Sequence, residues 1–232
     1  MSYHWPEPTF VQTNGIRMAV YAAGQKGKPA VVLSHGWPEL AFSWRHQLKP
    51  LADAGFHILA PDQRGYGLTS APDKVEDYNI HHLTGDLVGL LDAYGIEKAV
   101  FAGHDWGGFV VWAMPQLHPS RVAGVIGLNT PHLPRAPMDP IALMRMAYGE
   151  DMYIVFFQKP GVAEAVLEKD VGKTMRFMYR RSGLTIEEYE KRPASEKTLA
   201  LGTALQADET LWPGKVFLND AELSTYVETF KK

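Results

Sequence analysis

The 232-residue sequence predicts an α/β fold, in which a mostly parallel sheet is flanked by helices. The first observation behind this prediction is a set of four short apolar runs, which are typical of strands buried on both faces of a sheet. They lie at residues 30–33, 57–60, 99–102 and 122–128. The second observation is a helical pattern in each interval between them, near residues 43–54, 80–94 and 107–118. Strand and helix in alternation indicate a parallel sheet.

The elements on either side of these runs complete the predicted organisation. Before them, Asn14-Gly15 joins two β-rich stretches and suits the tight turn of a hairpin. After them, four prolines at three-residue spacing can neither continue a helix nor sit in a central strand. Beyond the prolines the pattern is helical, with no convincing strand. The predicted parts are an α/β core at residues 1–130, a stiff linker at 131–140 and an inserted helical domain at 141–232.

Composition excludes several classes of function. Hydrophobic residues make up 46% and charged residues 21%, as in ordinary globular proteins. The net charge of −3 does not indicate a nucleic-acid partner. The absence of cysteine excludes disulfides, thiolate catalysis and cysteine-ligated metals, and we expect neither a metal nor a cofactor. With no signal-peptide pattern and no apolar run long enough to span a membrane, we expect a cytoplasmic protein.

The clearest chemical motif is Gly103-His104-Asp105-Trp106-Gly107-Gly108, which ends a predicted strand and opens a predicted helix. This context is typical of the nucleophile elbow of α/β-hydrolases, where small residues flank a sharp turn that exposes the nucleophile. The elbow usually carries serine, and here it carries Asp105. The alternative interpretation is a glycine-rich turn in which Asp105 only caps the helix. His104 is expected to point into the core.

A second motif, His35-Gly36-Trp37-Pro38-Glu39, follows the first buried strand. In α/β-hydrolases the loop at this place supplies one backbone donor of the oxyanion hole, and the residue after the nucleophile supplies the other. The predicted donors are therefore the backbone N–H groups of Trp37 and Trp106. A third motif, at residues 62–67, is interpreted as structural: its acid and its arginine are expected to hold a loop beside the elbow.

These three motifs, in this order, resemble those of epoxide hydrolases of the α/β-hydrolase fold. The resemblance continues through residues 153–164, which look like a segment of the helical cap domain of that family. It implies that Tyr153 points into the active site and donates a proton to the opening ring. It also implies that Trp106 and Phe157 line the substrate pocket. The expected partners are a small hydrophobic epoxide and water, with a homodimer as one possible assembly.

An aspartate nucleophile suits this chemistry. Asp105 would attack a ring carbon and form an ester, which water then hydrolyses, so that one difficult step becomes two easier ones. Water needs a base, and in this fold the base is a histidine after the nucleophile and an acid. No histidine follows His132, and Asn129, where some relatives carry the acid, cannot replace a carboxylate. We therefore expect a truncated chain that lacks the last strand–helix units of the core and is inactive alone.

Two alternatives remain at this point. A haloalkane dehalogenase has the same fold and an aspartate nucleophile, but many carry asparagine at the position of Trp37 to hold the leaving halide. A fluoroacetate-type dehalogenase usually has arginine at the position of Trp106. The second alternative is a non-catalytic hydrolase-fold module that binds a ligand or a partner, which the missing histidine would fit.

Overall fold

The computed structural model describes residues 5–134, 136–193, 197 and 199–231. It divides into two compact units, Met1–His132 and Leu133–Lys232. The division lies inside the proline-rich segment that we predicted to be a linker. The domain bounds predicted from the sequence stay a prediction, because the units are defined by their internal contacts alone.

The first unit is an α/β structure with a six-stranded sheet. The strands are β1 (Thr9–Thr13), β2 (Ile16–Ala23), β3 (Ala30–Ser34), β4 (His57–Pro61), β5 (Ala99–His104) and β6 (Val122–Leu128). Their order in the sheet is β1-β2-β4-β3-β5-β6. The pairs β3–β4, β3–β5 and β5–β6 are parallel, whereas β1–β2 and β2–β4 are antiparallel. The prediction of a mostly parallel α/β sheet is confirmed.

Apolar cores cover both faces of this sheet. Within β3, Val32 joins the core on one face, while Val31 and Leu33 join the core on the other. This explains why the strand reads as a continuous apolar run instead of an alternating one. Among the described residues β6 has a strand partner on one side only, and its Ile126 side chain is 52% exposed.

The helices of the first unit are α1 (Leu48–Asp53), α2 (Ile80–Ala93) and α3 (Trp106–Leu117). The prediction of a helix near residues 43–54 is wrong in its first half. There the chain forms a short 3-10 turn at Ala41–Trp44 before α1 begins. Pro50 gives the physical reason. A proline ring is tolerated in the first turn of a helix but clashes with a helical backbone preceding it, so α1 starts just upstream of Pro50.

The second unit is mainly helical. Its helices are α4 (Pro140–Tyr148), α5 (Tyr153–Phe156), α6 (Val162–Leu167), α7 (Val171–Met178), α8 (Ile186–Glu190), α9 (Leu201–Ala204) and α10 (Asp220–Phe230). The expectation that it contains no strand is wrong in one respect: β7 (Arg180–Arg181) pairs antiparallel with β8 (Lys215–Val216). Strands of two residues are too short to produce a period-two pattern in a sequence. None of the described helices is long and apolar enough to cross a membrane.

Candidate active site

Asp105 lies at the sharp turn between β5 and α3. Its backbone has φ of 51° and ψ of −122°, a conformation that residues other than glycine rarely adopt. Such a conformation costs of order 1–3 kcal/mol and persists only where the surroundings hold it in place. The turn therefore has the strained geometry expected of a nucleophile elbow, and it lies at the carboxyl ends of the parallel strands.

Glycines allow this turn to pack against its neighbours. A Cβ atom at Gly107 would overlap with the backbone carbonyl oxygens of Ser34 and His35. A Cβ atom at Gly36 would approach the side chain of Asp105 to 2.5 Å. At both positions the added Cβ atom would lie closer to its neighbours than real Cβ atoms do. Gly36 and Gly107 thus bring the loop after β3 into contact with the elbow.

The Asp105 carboxylate is bound by this loop. Its Oδ1 atom accepts a hydrogen bond of 3.0 Å from the backbone N–H of Trp37. Asp105 occupies the N-cap position of α3, but its side chain makes no capping hydrogen bond to that helix, whose residues are all described. The geometry therefore argues against the interpretation of Asp105 as a simple helix cap. Trp106 opens α3, so its N–H lies in the first turn, where intrahelical acceptors are lacking.

Glu39 and His104 form an ion pair beside this carboxylate. The Oε2 atom of Glu39 accepts from the Gly36 N–H at 2.8 Å and lies 2.9 Å from Nδ1 of His104. The hydrogen bond to Glu39 raises the pKa of His104 despite partial burial. Burial opposes ionisation of Glu39, but the bond and charge of His104, together with the Gly36 N–H and His35, lower the pKa of Glu39. Through the hydrogen bond from the Gly36 N–H to Glu39, the pair holds the loop residue that precedes Trp37 in place.

The expectation that His104 points into the core is therefore wrong. Its side chain is 31% exposed, and Nε2 lies 3.2 Å from Nδ2 of Asn129. A histidine at the last position of a strand leaves the sheet with the turning chain, so it reaches polar partners on the loops instead of the apolar interior. Asn129, just after β6, contacts His104 and has a φ of 56°.

His35 is a fully buried neutral ring that joins two loops. Its Nε2 accepts from the N–H of Gln63 at 3.0 Å, so Nδ1 carries the proton and donates to the carbonyl of Gly36 at 2.8 Å. Burial lowers the pKa of His35, which keeps it uncharged. The Gln63 side chain completes the connection, because it accepts from Ser34 Oγ at 2.8 Å and donates to the His35 carbonyl.

The motif at residues 62–67 has the structural role that the sequence predicts. Asp62 accepts backbone hydrogen bonds from Ala41 at 2.9 Å and Leu68 at 3.1 Å. Arg64 forms a buried bidentate pair with Asp86 of α2, at 2.8 and 2.6 Å. These contacts fix the loop after β4 next to the loop that contains Trp37.

Sequence reasoning missed the roles of Glu39, Gln63 and Thr130. Glu39 belongs to the motif at residues 35–39, but its partner, His104, is 65 residues away, and no local pattern indicates that partner. The Thr130 hydroxyl donates to the carbonyl of Asp105 at 2.8 Å. Its only signal is its place two residues after the apolar run at 122–128, at the same edge of the sheet as the elbow.

An apolar cleft adjoins the elbow. It has a volume of about 290 Å³, and its lining includes Tyr66, Trp106 and Phe109. The Trp106 side chain is 40% exposed, and its ring lies 5.3 Å from that of Phe109. Apolar surface exposed beside a polar, strained turn is typical of a ligand site.

Tyr153 and Phe157 lie in the second unit. Tyr153 is the first residue of α5, and its N–H donates to the carbonyl of Leu199 at 3.1 Å. Its ring packs edge-on against that of Phe157, with 5.7 Å between the ring centroids. The structure thus brings these two predicted residues together, and their roles stay predictions. No cluster of three or more metal-ligating side chains occurs in the part of the chain that is described.

Comparison with known proteins identifies the family. The family model described as alpha/beta hydrolase fold matches residues 29–208, which include both loops and the elbow. The chain belongs to the α/β-hydrolase fold family. Its relatives in this family include Epoxide hydrolase A of Mycobacterium tuberculosis, 56% identical over 174 residues, which are 75% of this chain and 54% of the relative. Bifunctional epoxide hydrolase 2 of Mus musculus is 39% identical over 219 residues, which are 94% of this chain and 38% of the relative.

Solved structures of α/β-hydrolases agree with this assignment. Epoxide Hydrolase A from Mycobacterium thermoresistibile has a TM-score of 0.82 and 43% identity, and the match covers 97% of this chain and 70% of that one. An epoxide hydrolase from Vigna radiata has a TM-score of 0.82 and 34% identity, with 97% and 68% covered. The resemblance to epoxide hydrolases noted from the motifs is confirmed at the level of the family. The chain spans about half the length, or less, of the curated relatives described above.

Proposed function

We propose that the protein opens epoxides to vicinal diols through a covalent ester on Asp105. The observation that carries this proposal is the hydrogen bond of 3.0 Å from the Trp37 N–H to Oδ1 of Asp105, at a strained turn. A carboxylate that only capped a helix would bind the amides of that helix instead. The identity to several epoxide hydrolases supports the same reaction.

In the first step, the second carboxylate oxygen of Asp105 attacks a carbon of the epoxide ring. A carbon–oxygen bond forms to Asp105 as the ring carbon–oxygen bond breaks, and the electron pair of the broken bond goes to the ring oxygen. Tyr153 donates its hydroxyl proton to that oxygen, because a phenol is protonated at neutral pH and acidic enough to protonate an alkoxide. Oδ1 becomes the carbonyl oxygen of the ester and keeps the hydrogen bond that it accepts from the Trp37 N–H.

In the second step, water attacks the ester carbonyl carbon. Negative charge develops on Oδ1, where the N–H groups of Trp37 and Trp106 would stabilise it. Removing one such donor typically costs about 2.7–4 kcal/mol in the transition state. A base, for which the sequence offers no histidine after His132, takes a proton from the water, the bond between the carbonyl carbon and the ester oxygen breaks, and that oxygen gains a proton as the diol leaves with it. One oxygen of the regenerated Asp105 carboxylate then comes from water.

The substrate we propose is a small epoxide with a hydrophobic substituent. The cleft beside Trp106 and Phe109 presents mainly apolar surface, which favours an aryl or alkyl group over a charged one. Phe157 adds an aromatic ring next to Tyr153. A cytoplasmic location, the epoxide and water as partners, and a homodimer complete the proposal on the composition and the family resemblance.

The test is covalent labelling of the full chain with styrene oxide, followed by intact mass measurement and peptide mapping. We expect one adduct, on Asp105, and none in the Asp105→Asn variant. The control is Asp53→Asn, which removes an exposed carboxylate from a surface ion pair and should leave labelling unchanged. An adduct that persists in Asp105→Asn would overturn the proposal.

Two further measurements sharpen the test. Because no histidine follows His132, we expect the chain to form this ester but to hydrolyse it only slowly, without steady turnover; in ¹⁸O-labelled water, the label of that slow hydrolysis should enter the Asp105 carboxyl group and not the diol. A chloroalkane tests the alternative substrate class. Labelling of Asp105 by the chloroalkane with release of chloride, without labelling by the epoxide, would indicate a dehalogenase.

A further inference from the structure

We propose that Thr130 is a positioning residue that aims the backbone N–H of Trp106 at the substrate ester. This inference rests on the proposed function, in which Asp105 is the nucleophile and Trp106 an oxyanion donor. It assigns a role to the segment after β6, which none of the sequence motifs includes.

Two hydrogen bonds restrain the carbonyl group of Asp105. Its oxygen accepts two hydrogen bonds, one of 2.8 Å from the Thr130 hydroxyl and one of 2.9 Å from the N–H of Gly108. The N–H of Asp105 donates to the carbonyl of Leu128 at 3.3 Å. The segment at residues 128–130 therefore holds the nucleophile's backbone from both sides.

The peptide group that joins Asp105 to Trp106 is planar. The carbonyl of Asp105 and the N–H of Trp106 belong to the same peptide group, and in a trans peptide they point in opposite directions. A hydrogen bond that fixes the direction of the carbonyl therefore also fixes the direction of the N–H. The Thr130 hydroxyl acts on the Trp106 donor through this plane, without touching the substrate.

Thr130 itself is held in place. Its side chain is buried, and its own carbonyl accepts from the indole N–H of Trp112 at 2.8 Å. A Cβ atom at Gly108 would approach the Cβ of Thr130 to 2.5 Å, so the two backbones meet closely because residue 108 is glycine. The hydroxyl is thus fixed relative to α3.

The backbone conformation of Asp105 makes this restraint necessary. The φ of 51° at Asp105 is unfavourable, so the peptide that follows tends to rotate when one of its restraints is lost. The N–H of Gly108 belongs to α3 and would move with the peptide. The Thr130 hydroxyl comes from the segment after β6, outside α3, and is the restraint that resists this rotation.

The experiment compares Thr130→Val, which removes the hydroxyl at nearly constant volume, with Thr130→Ser, which retains it. Thr84→Val is the matched control, because Thr84 is also buried in the first unit and donates to a backbone carbonyl, that of Ile80, at 2.8 Å. All variants are made in the full chain. Their melting temperatures are measured first, and Trp112→Phe serves as a second variant if Thr130→Val does not fold.

The first readout is the rate at which the Asp105 ester, formed with styrene oxide and then freed of excess epoxide, is hydrolysed. We expect Thr130→Val to lower this hydrolysis rate about 10-fold, below the roughly 10²–10³-fold effect of deleting a donor completely. The rate of Asp105 labelling should stay nearly unchanged, since negative charge on the carboxyl group decreases in that step. Thr130→Ser should restore the hydrolysis rate, and Thr84→Val should not lower it.

The second readout needs no epoxide. The residual dipolar coupling of the Trp106 N–H bond reports its orientation, and it should change in Thr130→Val and return in Thr130→Ser. A Thr130→Val protein with the parent's rate of ester hydrolysis and the parent's coupling would overturn the inference, as would a Thr130→Ser protein as impaired as Thr130→Val. If the parent itself is not labelled by styrene oxide, the proposed function fails, and the coupling alone decides the role of Thr130.

Discussion

Each unit contains a bidentate pair between an arginine and a carboxylate, and the two pairs have the same geometry. In the first unit Arg64 binds Asp86 at 2.8 and 2.6 Å, and in the second unit Arg176 binds Glu209 at 2.8 and 2.6 Å. Their side chains differ in exposure, at 3% and 2% for the first pair against 37% and 35% for the second. Equal distances therefore do not mean equal energies, because the surrounding medium sets the cost of breaking each pair.

The largest effect we predict is that of Arg64→Met. It leaves the Asp86 carboxylate buried without its arginine, which typically costs about 3–5 kcal/mol in the free energy of unfolding. Arg176→Met, the matched change in the second unit, should cost at most about 1 kcal/mol, because water replaces the lost partner. Urea denaturation followed by circular dichroism measures both. Equal losses in the two variants would contradict the comparison.

Glycines extend the same comparison to the backbone. In the first unit Gly107 has a backbone conformation open to other residues, but its neighbours leave no room for a side chain. In the second unit Gly161, at the start of α6, has open space around it but a φ of 78°. The first glycine is required by packing at the candidate site, and the second by the local conformation of the chain.

Gly107→Ala should therefore affect both stability and chemistry. The added methyl group would overlap with two backbone carbonyls, which cannot move aside as a side chain can. We expect a loss of about 3 kcal/mol, at the upper end of the usual cost of overpacking. We also expect little or no Asp105 labelling by styrene oxide, because the elbow must move away from the loop that contains Trp37. A stable variant that is labelled at the parent's rate would contradict this account.

The Glu39–His104 pair, of intermediate exposure, predicts a pH dependence. The pKa of His104 is raised above its ordinary value of 6.5, chiefly by its bond to Glu39 and also by Asp105, so the contribution of His104 is complete below 6.5 and is lost as the pH rises through its folded pKa. The pKa of Glu39 is lowered from 4.5, so its contribution is lost as the pH falls through its folded pKa. The pair therefore contributes most to stability between pH 4.5 and pH 6.5.

Glu39→Gln tests this pH dependence and keeps an acceptor for the Gly36 N–H. We expect the variant to lose about 1.5 kcal/mol near pH 5.5, the low end for a hydrogen bond to a charged group, and to approach the parent at alkaline pH. His104→Gln should flatten the pH profile in the same way, because either change removes the pair. Unfolding measured from pH 4 to pH 9 gives the profiles, and a pH-independent difference would refute the ionic interpretation.

The sequence predicted the first unit better than the second for a physical reason. Continuous apolar runs, as at Val31 and Val32, report burial on both faces of a sheet, and the glycines around Asp105 mark a tight turn. The helices of the second unit have four to eleven residues, and such short segments contain too few turns to show a period. The pairing of Glu39 with His104 could not be predicted, because it depends on how two loops meet at the sheet edge.

The smallest effect we predict is that of Gly161→Ala, and its mechanism differs from that of Gly107→Ala. The methyl group at residue 161 meets no neighbour, so the cost is only that of a positive φ for a residue with a Cβ, about 1 kcal/mol. Asparagine adopts this left-handed conformation more readily, so Gly161→Asn should recover part of the loss. At position 107 asparagine should be at least as harmful as alanine, because the obstacle there is space. Urea denaturation of the four variants decides between the two mechanisms, since a rescue by asparagine at position 107, or its failure at 161, would show that the two glycines have been assigned the wrong roles.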